Sequence, residues 1–378
     1  VSLSSESFRC RFPVLERTVY LASCSLGAMS DALTAALTEF QSTMFKHGSP
    51  WEWWTFRVDE ARRHFAALIQ ADVDDVAVVS SASEGAYQVA SGFRWKRAEA
   101  VVTTELEFPS IAHVWLAQRA NGATVRYAET EGGFATAEGY EKAMDGPVRL
   151  VSVPLVSYLH GQRLPVERIA ELARDRGAQV FVDAYQGLGI EPVDVRKLGC
   201  DYLVSGTHKY LLGLPGLAFL YVRRGVNREL DPQLTGWFGR VDPFEFNPRE
   251  LDFPSTARRY EVGTPPVVAA YGAVAGLKLL ATLDAEVARA HVRGLTSHLR
   301  VGLAGMGERL ASPASEDDCG PMVAVHDPAP DGLARFLAAR KIVTSPRSGL
   351  LRIAVHYYNN DADVEAVVEA IHEYRSGR

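Results

Sequence analysis

The chain has 378 residues, 47% of them apolar and 23% charged, with a formal net charge of −6 at pH 7. That length exceeds one small core and suits a soluble protein with a large and a small domain. Acidic and basic residues are interspersed, which argues against a nucleic-acid or anionic-membrane partner, and no apolar run approaches the roughly 18 to 20 residues of a spanning helix. The four cysteines, Cys10, Cys24, Cys200 and Cys319, lie far apart without paired spacing, and the ten histidines include no HExxH pair. Neither a disulfide framework nor a metal site is therefore expected. A GxSxG elbow is absent, which removes the simplest hydrolase reading. The first residues, Val1-Ser2-Leu3-Ser4-Ser5-Glu6, lack the basic start and apolar segment of a secretory signal, so a cytoplasmic location is expected.

In chain order, Val76–Val79 reads as a strand leading into a helix at Ser83-Glu84-Gly85-Ala86. Ala100–Thr103 is a second strand, followed by a periodic segment from Pro109 to Asn121. Thr124–Tyr127, Val148–Val153, Val180–Asp183, Tyr202–Ser205 and Leu217–Val222 supply five more, and Val166–Arg176 has the apolar spacing of an amphipathic helix. Apolar strands separated by helices predict a mainly parallel α/β sheet. The stretch from Leu230 to Thr264 is rich in Pro, Phe and Arg, and is long for a structureless loop, which marks it as functional or interface-forming. A single long helix from Val267 to about Gly302 is expected next. A strand at Met322–Val325, a helix at Asp331–Arg340, a strand at Leu351–Val355 and a helix at Val364–Tyr374 complete a small α+β domain. The predicted boundaries are 15–265 for the large domain and 266–378 for the small one, with residues 1–14 joined to the latter.

Two strands deliver the chemistry. Val180-Phe181-Val182-Asp183 ends on a carboxylate, and Tyr202-Leu203-Val204 leads into Ser205-Gly206-Thr207-His208-Lys209. In such sheets ligands bind beyond the carboxyl ends of the strands, which brings Asp183 and Lys209 to one place. A lysine can hold an aldehyde cofactor as an imine, and an aspartate can keep that cofactor's ring nitrogen protonated. This pairing is the arrangement of pyridoxal phosphate (PLP) enzymes.

With these motifs the chain resembles the class V aminotransferase group of fold-type I PLP enzymes, which includes cysteine desulfurases, kynureninases and isopenicillin N epimerases. The likeness runs from Tyr20-Leu21-Ala22 to His356-Tyr357-Tyr358-Asn359. It implies the fold-type I transferase architecture: a large domain with a mainly parallel mixed sheet, a small α+β C-terminal domain, and a homodimer with shared active sites. By that resemblance Lys209 is the Schiff-base lysine, Asp183 pairs with the pyridinium nitrogen and Gln186 bonds the phenolic oxygen. Phe108, in Glu107-Phe108-Pro109-Ser110, stacks on the ring. The phosphate candidates are the Ser83 hydroxyl and the backbone amides of Glu84 and Gly85 at a helix N-terminus, and Ser205, Thr207 and His208 in SGTHK, where relatives more often read SxHK. Trp237 and the Gly263-Thr264 pair match residues that complete a neighbouring subunit's site. Arg352 matches the arginine that binds the substrate α-carboxylate, a role that suits its planar fork. Tyr158 and His160 lie where relatives contact substrate or cofactor.

Departures sharpen the reading. The loop Ile342-Val343-Thr344-Ser345-Pro346-Arg347-Ser348-Gly349 has no cysteine where desulfurases carry their nucleophile, which argues against a persulfide relay. Cys24 is a buried small residue first and a pocket residue second. The aromatic run Trp51-Glu52-Trp53-Trp54-Thr55-Phe56-Arg57 suits a pocket wall, with Arg57 meeting an anionic group, as well as it suits packing. The expected activity is that of a lyase on an α-amino acid or amino-acid conjugate, of the β-elimination or kynureninase-like type. The alternatives are an aminotransferase or epimerase on the same scaffold, or a PLP-fold binding protein without catalysis.

Overall fold

Seven short apolar runs hydrogen-bond into one sheet in the computed structural model, which describes residues 2–96, 98–226 and 229–377. They are β1 (Val76–Val79), β2 (Ala100–Thr104), β3 (Thr124–Ala128), β4 (Val148–Pro154), β5 (Gln179–Asp183), β6 (Tyr202–Gly206) and β7 (Ala218–Val222). Their spatial order is β1-β7-β6-β5-β4-β2-β3. Strand β7 runs antiparallel to both neighbours, and the other adjacent pairs are parallel. The seven expected strands and the mainly parallel mixed sheet are thus present.

Alternation along each strand divides the core in two. Val76 and Val78 enter one apolar cluster, whereas Ala77 and Val79 enter the other. Both faces are covered over β1, β2, β6 and β7, which are buried throughout, whereas the edge strand β3 (Thr-Val-Arg-Tyr-Ala) mixes buried and exposed residues. The helices used below are α1 (Asp31–His47), α2 (Trp51–Leu68), α3 (Ala82–Ser91), α4 (Pro109–Ala117), α5 (Val166–Asp175), α6 (Val267–Leu280) and α7 (Ala285–Gly305). Phe65 of α2, Ile169 of α5 and Val274 of α6 pack in the first cluster; Ala86 and Val89 of α3 and Trp115 of α4 pack in the second.

The long helix expected from Val267 to Gly302 is two helices, α6 and α7, bent by 87°. Helix α6 is buried nearly all round, whereas α7 carries one apolar stripe, so the two cannot share a straight axis. The break is chemically marked: the Thr282 hydroxyl donates back to the Leu279 carbonyl (2.7 Å), and the Asp284 carboxylate accepts from the amides of Glu286 and Val287 (both 3.0 Å) as an N-cap. No single helix among the described residues is long and apolar enough to cross a membrane.

Beyond α7 come β8 (Met322–His326), α8 (Pro330–Ala339), β9 (Ser345–Arg347), β10 (Leu350–Ala354) and α9 (Asp361–Ser376), with a three-stranded antiparallel sheet in the order β8-β10-β9. The N-terminal residues pack here. Phe8 and Phe12 meet the rings of Tyr357 and Tyr358, and Arg9 pairs with the buried Asp363 at 2.7 Å. The segment 230–264 is mostly irregular, with two short 3₁₀ turns at Trp237–Gly239 and Ala257–Tyr260. Glu261 fastens its end to the sheet, accepting from the Arg62 guanidinium (2.6 Å) and the Val78 amide of β1 (3.0 Å).

Candidate active site

Asp183 is the last residue of β5, and Lys209 follows β6 by three residues, so both lie past the carboxyl ends of adjacent parallel strands. The loop carrying Lys209 is knitted by its own neighbours. The Thr207 hydroxyl donates to the Leu214 carbonyl (2.5 Å), the Gly213 amide to Thr207 O (2.8 Å) and the Leu212 amide to Lys209 O (3.1 Å). The Gly27 amide reaches His208 O at 2.8 Å, and a Cβ at position 27 would lie 2.3 Å from Lys209 O, so only glycine permits that approach.

A cavity of about 330 Å³ opens at this point, within the size range of small-ligand sites. Lys209, Asp183, Ser83, Phe108, Gln186, His208, Arg352, Tyr158 and Cys24 all line it. The Lys209 ammonium lies 4.4 Å from the Tyr185 ring centroid and 5.2 Å from that of Phe108. Tyr158 meets Phe108 edge-on at 5.0 Å, which fixes the plane of the Phe108 ring. Pro109 opens α4 immediately after Phe108, a position that tolerates its missing amide hydrogen.

Burial governs the charges. It pushes the Lys209 amine down to about 8, with Asp183 and Cys24 opposing and Arg352 and Arg347 assisting. Burial raises the Asp183 carboxyl to about 6, against the Tyr185 amide (2.9 Å) and Lys209. Glu107 lies beside it and is pushed further up, by burial first and then by Asp183. Two neighbouring buried carboxyls do not both ionise readily. Asp183, with the amide and the lysine on its side, is the one that carries the charge. Glu107 accepts from the Ser152 hydroxyl and the Phe108 amide (both 3.0 Å), tying the Phe108 turn to β4. The His208 ring is driven down to about 4, chiefly by burial and further by Lys209, and its Nδ1 meets the Tyr185 hydroxyl at 3.0 Å.

Arg352 is the clearest sign of an anionic ligand. It is 2% exposed, and among the described residues its guanidinium donates only to neutral oxygens: Tyr158 O (2.8 Å), Ser345 Oγ (2.6 Å) and Ser345 O (3.3 Å). A buried cation without a counter-charge is expensive, and an anion bound in the cavity would relieve it.

Several expected residues lie elsewhere. The Ser205 side chain is buried in the sheet and meets only Gly206 O (3.3 Å), and the Thr207 hydroxyl is consumed by its loop, so neither lines the cavity. The Glu84 carboxylate accepts from Ser80 on another side of α3, and Gly85 allows α3 to approach Val204, where a Cβ would sit 3.0 Å away. Their backbone amides, the groups expected to meet a phosphate, donate to the Ser81 hydroxyl and carbonyl respectively (both 3.1 Å). His160 has each ring nitrogen on the backbone, Nε2 with Gly133 O (3.2 Å) and Nδ1 with the Gln162 amide (3.3 Å), and is not a cavity residue. Arg57 is paired with Glu39 and Glu60 and stacks over Tyr271, so it does not reach the pocket either. Trp237 packs with Trp51, Phe238, Phe244 and Phe246, and Thr264 borders a separate recess with Glu84 and Phe238; both are outside this chain's pocket.

Other residues line the cavity without having been singled out: Ser81, Ser110, Tyr185 and Arg347. Tyr185 had a signal, since it stands two positions after Asp183. A Cβ at Gly206 would fall 1.8 Å from the Tyr185 hydroxyl, so that glycine makes the space in which Tyr185 lies.

The residues present fit pyridoxal phosphate. Lys209 offers an amine for the aldehyde, Asp183 a buried carboxylate for the ring nitrogen, and Phe108 a flat cover. Ser81 and Ser83 at the N-terminus of α3, with His208, offer polar groups for a phosphate. The Gln186 amide donates to Cys24 O at 3.1 Å, and its Oε1 is buried without a partner, a polar atom left for a ligand.

Comparison with known proteins agrees. The family model for class-V aminotransferases matches residues 28–367. An uncharacterized aminotransferase, YcbU, of Bacillus subtilis is 34% identical over 366 residues, 97% of each chain. A probable cysteine desulfurase of Methanothermobacter thermautotrophicus is 26% identical, covering 99% of this chain and 98% of its own, and a kynureninase of Deinococcus radiodurans is 27% identical over 76% and 72% respectively. The apo cysteine desulfurase of Thermococcus onnurineus superposes with a TM-score of 0.91 at 23% identity over all of both chains. The chain therefore belongs to the class-V aminotransferase family, and it is a pyridoxal-phosphate-dependent enzyme of fold type I.

Proposed function

We propose that the protein is a lyase acting on an α-amino acid or amino-acid conjugate that carries a leaving group at the β-carbon. The observation that carries the amino-acid reading is Arg352, a buried guanidinium with only neutral acceptors on the wall of the cavity that holds Lys209 and Asp183. Its fork takes the substrate α-carboxylate bidentately. When bound, pyridoxal phosphate supplies an electron-accepting ring that allows a bond at the substrate's α-carbon to break. Lys209 would anchor the cofactor through its aldehyde and, as a free amine, would take the substrate's α-proton. An amine with a pKa of about 8 is better suited to that task near neutrality than an ordinary lysine. With the proton on Lys209, the former C–H pair would form the Cα–Cβ double bond and the β-substituent would leave with its bonding pair. Asp183 would hold the cofactor's ring nitrogen through its negative charge, and Phe108 would shield the cofactor from water.

Two further observations support a lyase without a persulfide relay. The β9–β10 turn carries no cysteine, and Cys319 is engaged with Arg300 (3.1 Å) away from the cavity. Cys24 does line the cavity, but burial raises its thiol, which keeps it protonated and weakly nucleophilic. The similarity to a kynureninase is consistent with this reading; the 34% identical relative named as an aminotransferase favours transamination as the second reading, and epimerisation would use the same core residues. The test is product analysis with β-substituted amino acids. Pyruvate or alanine with release of the substituent supports the lyase. A keto acid of unchanged carbon skeleton, with the cofactor recovered as its amine, would establish the transaminase instead. We also propose a homodimer in which Trp237 and Thr264 complete the partner's site.

A further inference from the structure

Arg347 lines the same cavity as Lys209 and Arg352, and the proposed chemistry leaves it without a task. Its position is well determined by the backbone. Strand β9 pairs antiparallel with β10, with Ser345 opposite Arg352 and Arg347 opposite Leu350. Residues two apart on a strand share a face, so Arg347 and Arg352 project from the same side of this hairpin. The connecting residues Ser348 (φ 50°) and Gly349 (φ 78°) both adopt positive φ, the signature of a tight two-residue turn, and Gly349 O accepts from the Asp327 amide at 3.1 Å. Arg347 is thus carried on a short, pinned hairpin.

The two guanidiniums differ in kind. Arg352 is buried deep in the wall, with its donors held by Tyr158 and Ser345. Arg347 is exposed at the rim and has no hydrogen bond or ion pair among the described residues. Both lie near enough to Lys209 to disfavour its protonated form. One α-carboxylate satisfies one fork. A second cation aimed at the same space, one hairpin residue from the turn, suits a second anion further along the substrate.

We propose that Arg347 recognises a carboxylate on the substrate's side chain, so that the preferred substrates are α-amino acids whose β-substituent ends in a carboxylate. This rests on the assignment of the α-carboxylate to Arg352. An arginine at a pocket mouth discriminates through charge and a planar fork, which a neutral amide of the same shape cannot match.

The experiment pairs S-carboxymethyl-L-cysteine with its near-isostere S-carbamoylmethyl-L-cysteine, using the cofactor-loaded enzyme. Binding is followed by the cofactor's absorbance change and turnover by substituent release. Wild type should prefer the acid by roughly tenfold or more in Kd and in kcat/KM, a preference that shrinks as salt is raised. Arg347→Gln should erase that preference by weakening the acid alone, and Arg347→Lys should restore part of it. Equal weakening of both probes in Arg347→Gln would overturn the proposal and make Arg347 a second finger on the α-carboxylate. No change in either would also overturn it and make Arg347 a solvated rim charge. Arg352→Gln should weaken both probes alike. Failure of the wild type to retain the cofactor, visible before any substrate is added, would instead overturn the underlying functional reading.

Discussion

Lys209 shows how a single residue acquires chemistry from its surroundings. An ordinary lysine amine is almost wholly protonated at neutral pH, but burial here brings it down to about 8. Below that value the ammonium has no lone pair; above it the free amine can attack an aldehyde. The rate at which apo protein captures pyridoxal phosphate should therefore rise with pH through a midpoint at about 8, measured by stopped-flow absorbance. A midpoint close to that of an exposed lysine would contradict the burial argument. Asp183 is the complementary case: raised to about 6 by burial, it is still mainly ionised at pH 7. Asp183→Asn removes that charge while keeping the shape. We expect turnover to fall at least tenfold, on the order of 2 kcal/mol for a lost charge-assisted hydrogen bond, with little change in thermal stability. Activity preserved within twofold would remove Asp183 from the mechanism.

At the scale of elements, a glycine and a buried ion pair hold the site's supports. Gly206 ends β6 where any Cβ would collide with the Tyr185 ring and hydroxyl, at 1.8 to 2.4 Å. Gly206→Ala should displace Tyr185 from His208 and Lys209, with an overpacking penalty of about 1–3 kcal/mol. Cofactor affinity and melting temperature should fall together; an unchanged cofactor Kd would show that Tyr185 is not part of the cradle. The second support lies on the other side of the sheet edge. Arg62 and Glu261, each with a side chain 4% exposed, join α2 to the end of the 230–264 segment and, through the Val78 amide, to β1. Arg62 also pairs with the half-exposed Asp59, so neutralising Glu261 removes one charge-assisted bond without leaving the guanidinium alone, a loss of about 1.5–3 kcal/mol. Glu261→Gln should lower the denaturant midpoint accordingly, while Glu245→Gln, whose carboxylate meets Arg240 at an exposed position, should change it little.

The whole molecule leaves an aromatic surface that one chain does not cover. Phe244 and Phe246 are 50% and 68% exposed beside Trp237, and Trp53 and Phe56 on α2 are 53% and 56% exposed. Exposed apolar patches of this kind mark association surfaces. The proposed homodimer would bury them and bring Trp237 and Thr264 toward the partner's pocket. Light scattering should give twice the chain mass, and Phe246→Glu should shift it to the monomer with loss of activity. A fully active monomer would argue that each chain's site is complete alone.

Much of this architecture was legible in local patterns. Most strands declared themselves because both faces of the sheet are covered there, which forces apolar runs, and the edge strand β3 by its alternation; Asp183 and Lys209 followed, because strand ends in a parallel sheet converge on one side. Phe108, Gln186, His208 and Arg352 were found by motif, and each does line the cavity. What local patterns did not show was direction in space. The Ser205 and Thr207 hydroxyls are spent on the sheet and the loop, and the Glu84 amide on the helix cap at Ser81. His160 and Arg57 found backbone and carboxylate partners that lie 27, 18 and 3 positions away in the chain. The break between α6 and α7 turned on whether a continuous apolar stretch would lie inside the core or along it, and Arg347 gained meaning only when the hairpin set it on the same face as Arg352. The sequence by itself thus determined the fold and the cofactor chemistry, because strand patterning and the Asp–Lys pair are local. Only the tertiary structure decided which side chains reach the cofactor and what the pocket asks of a substrate, because those depend on which faces the packed elements present to one another.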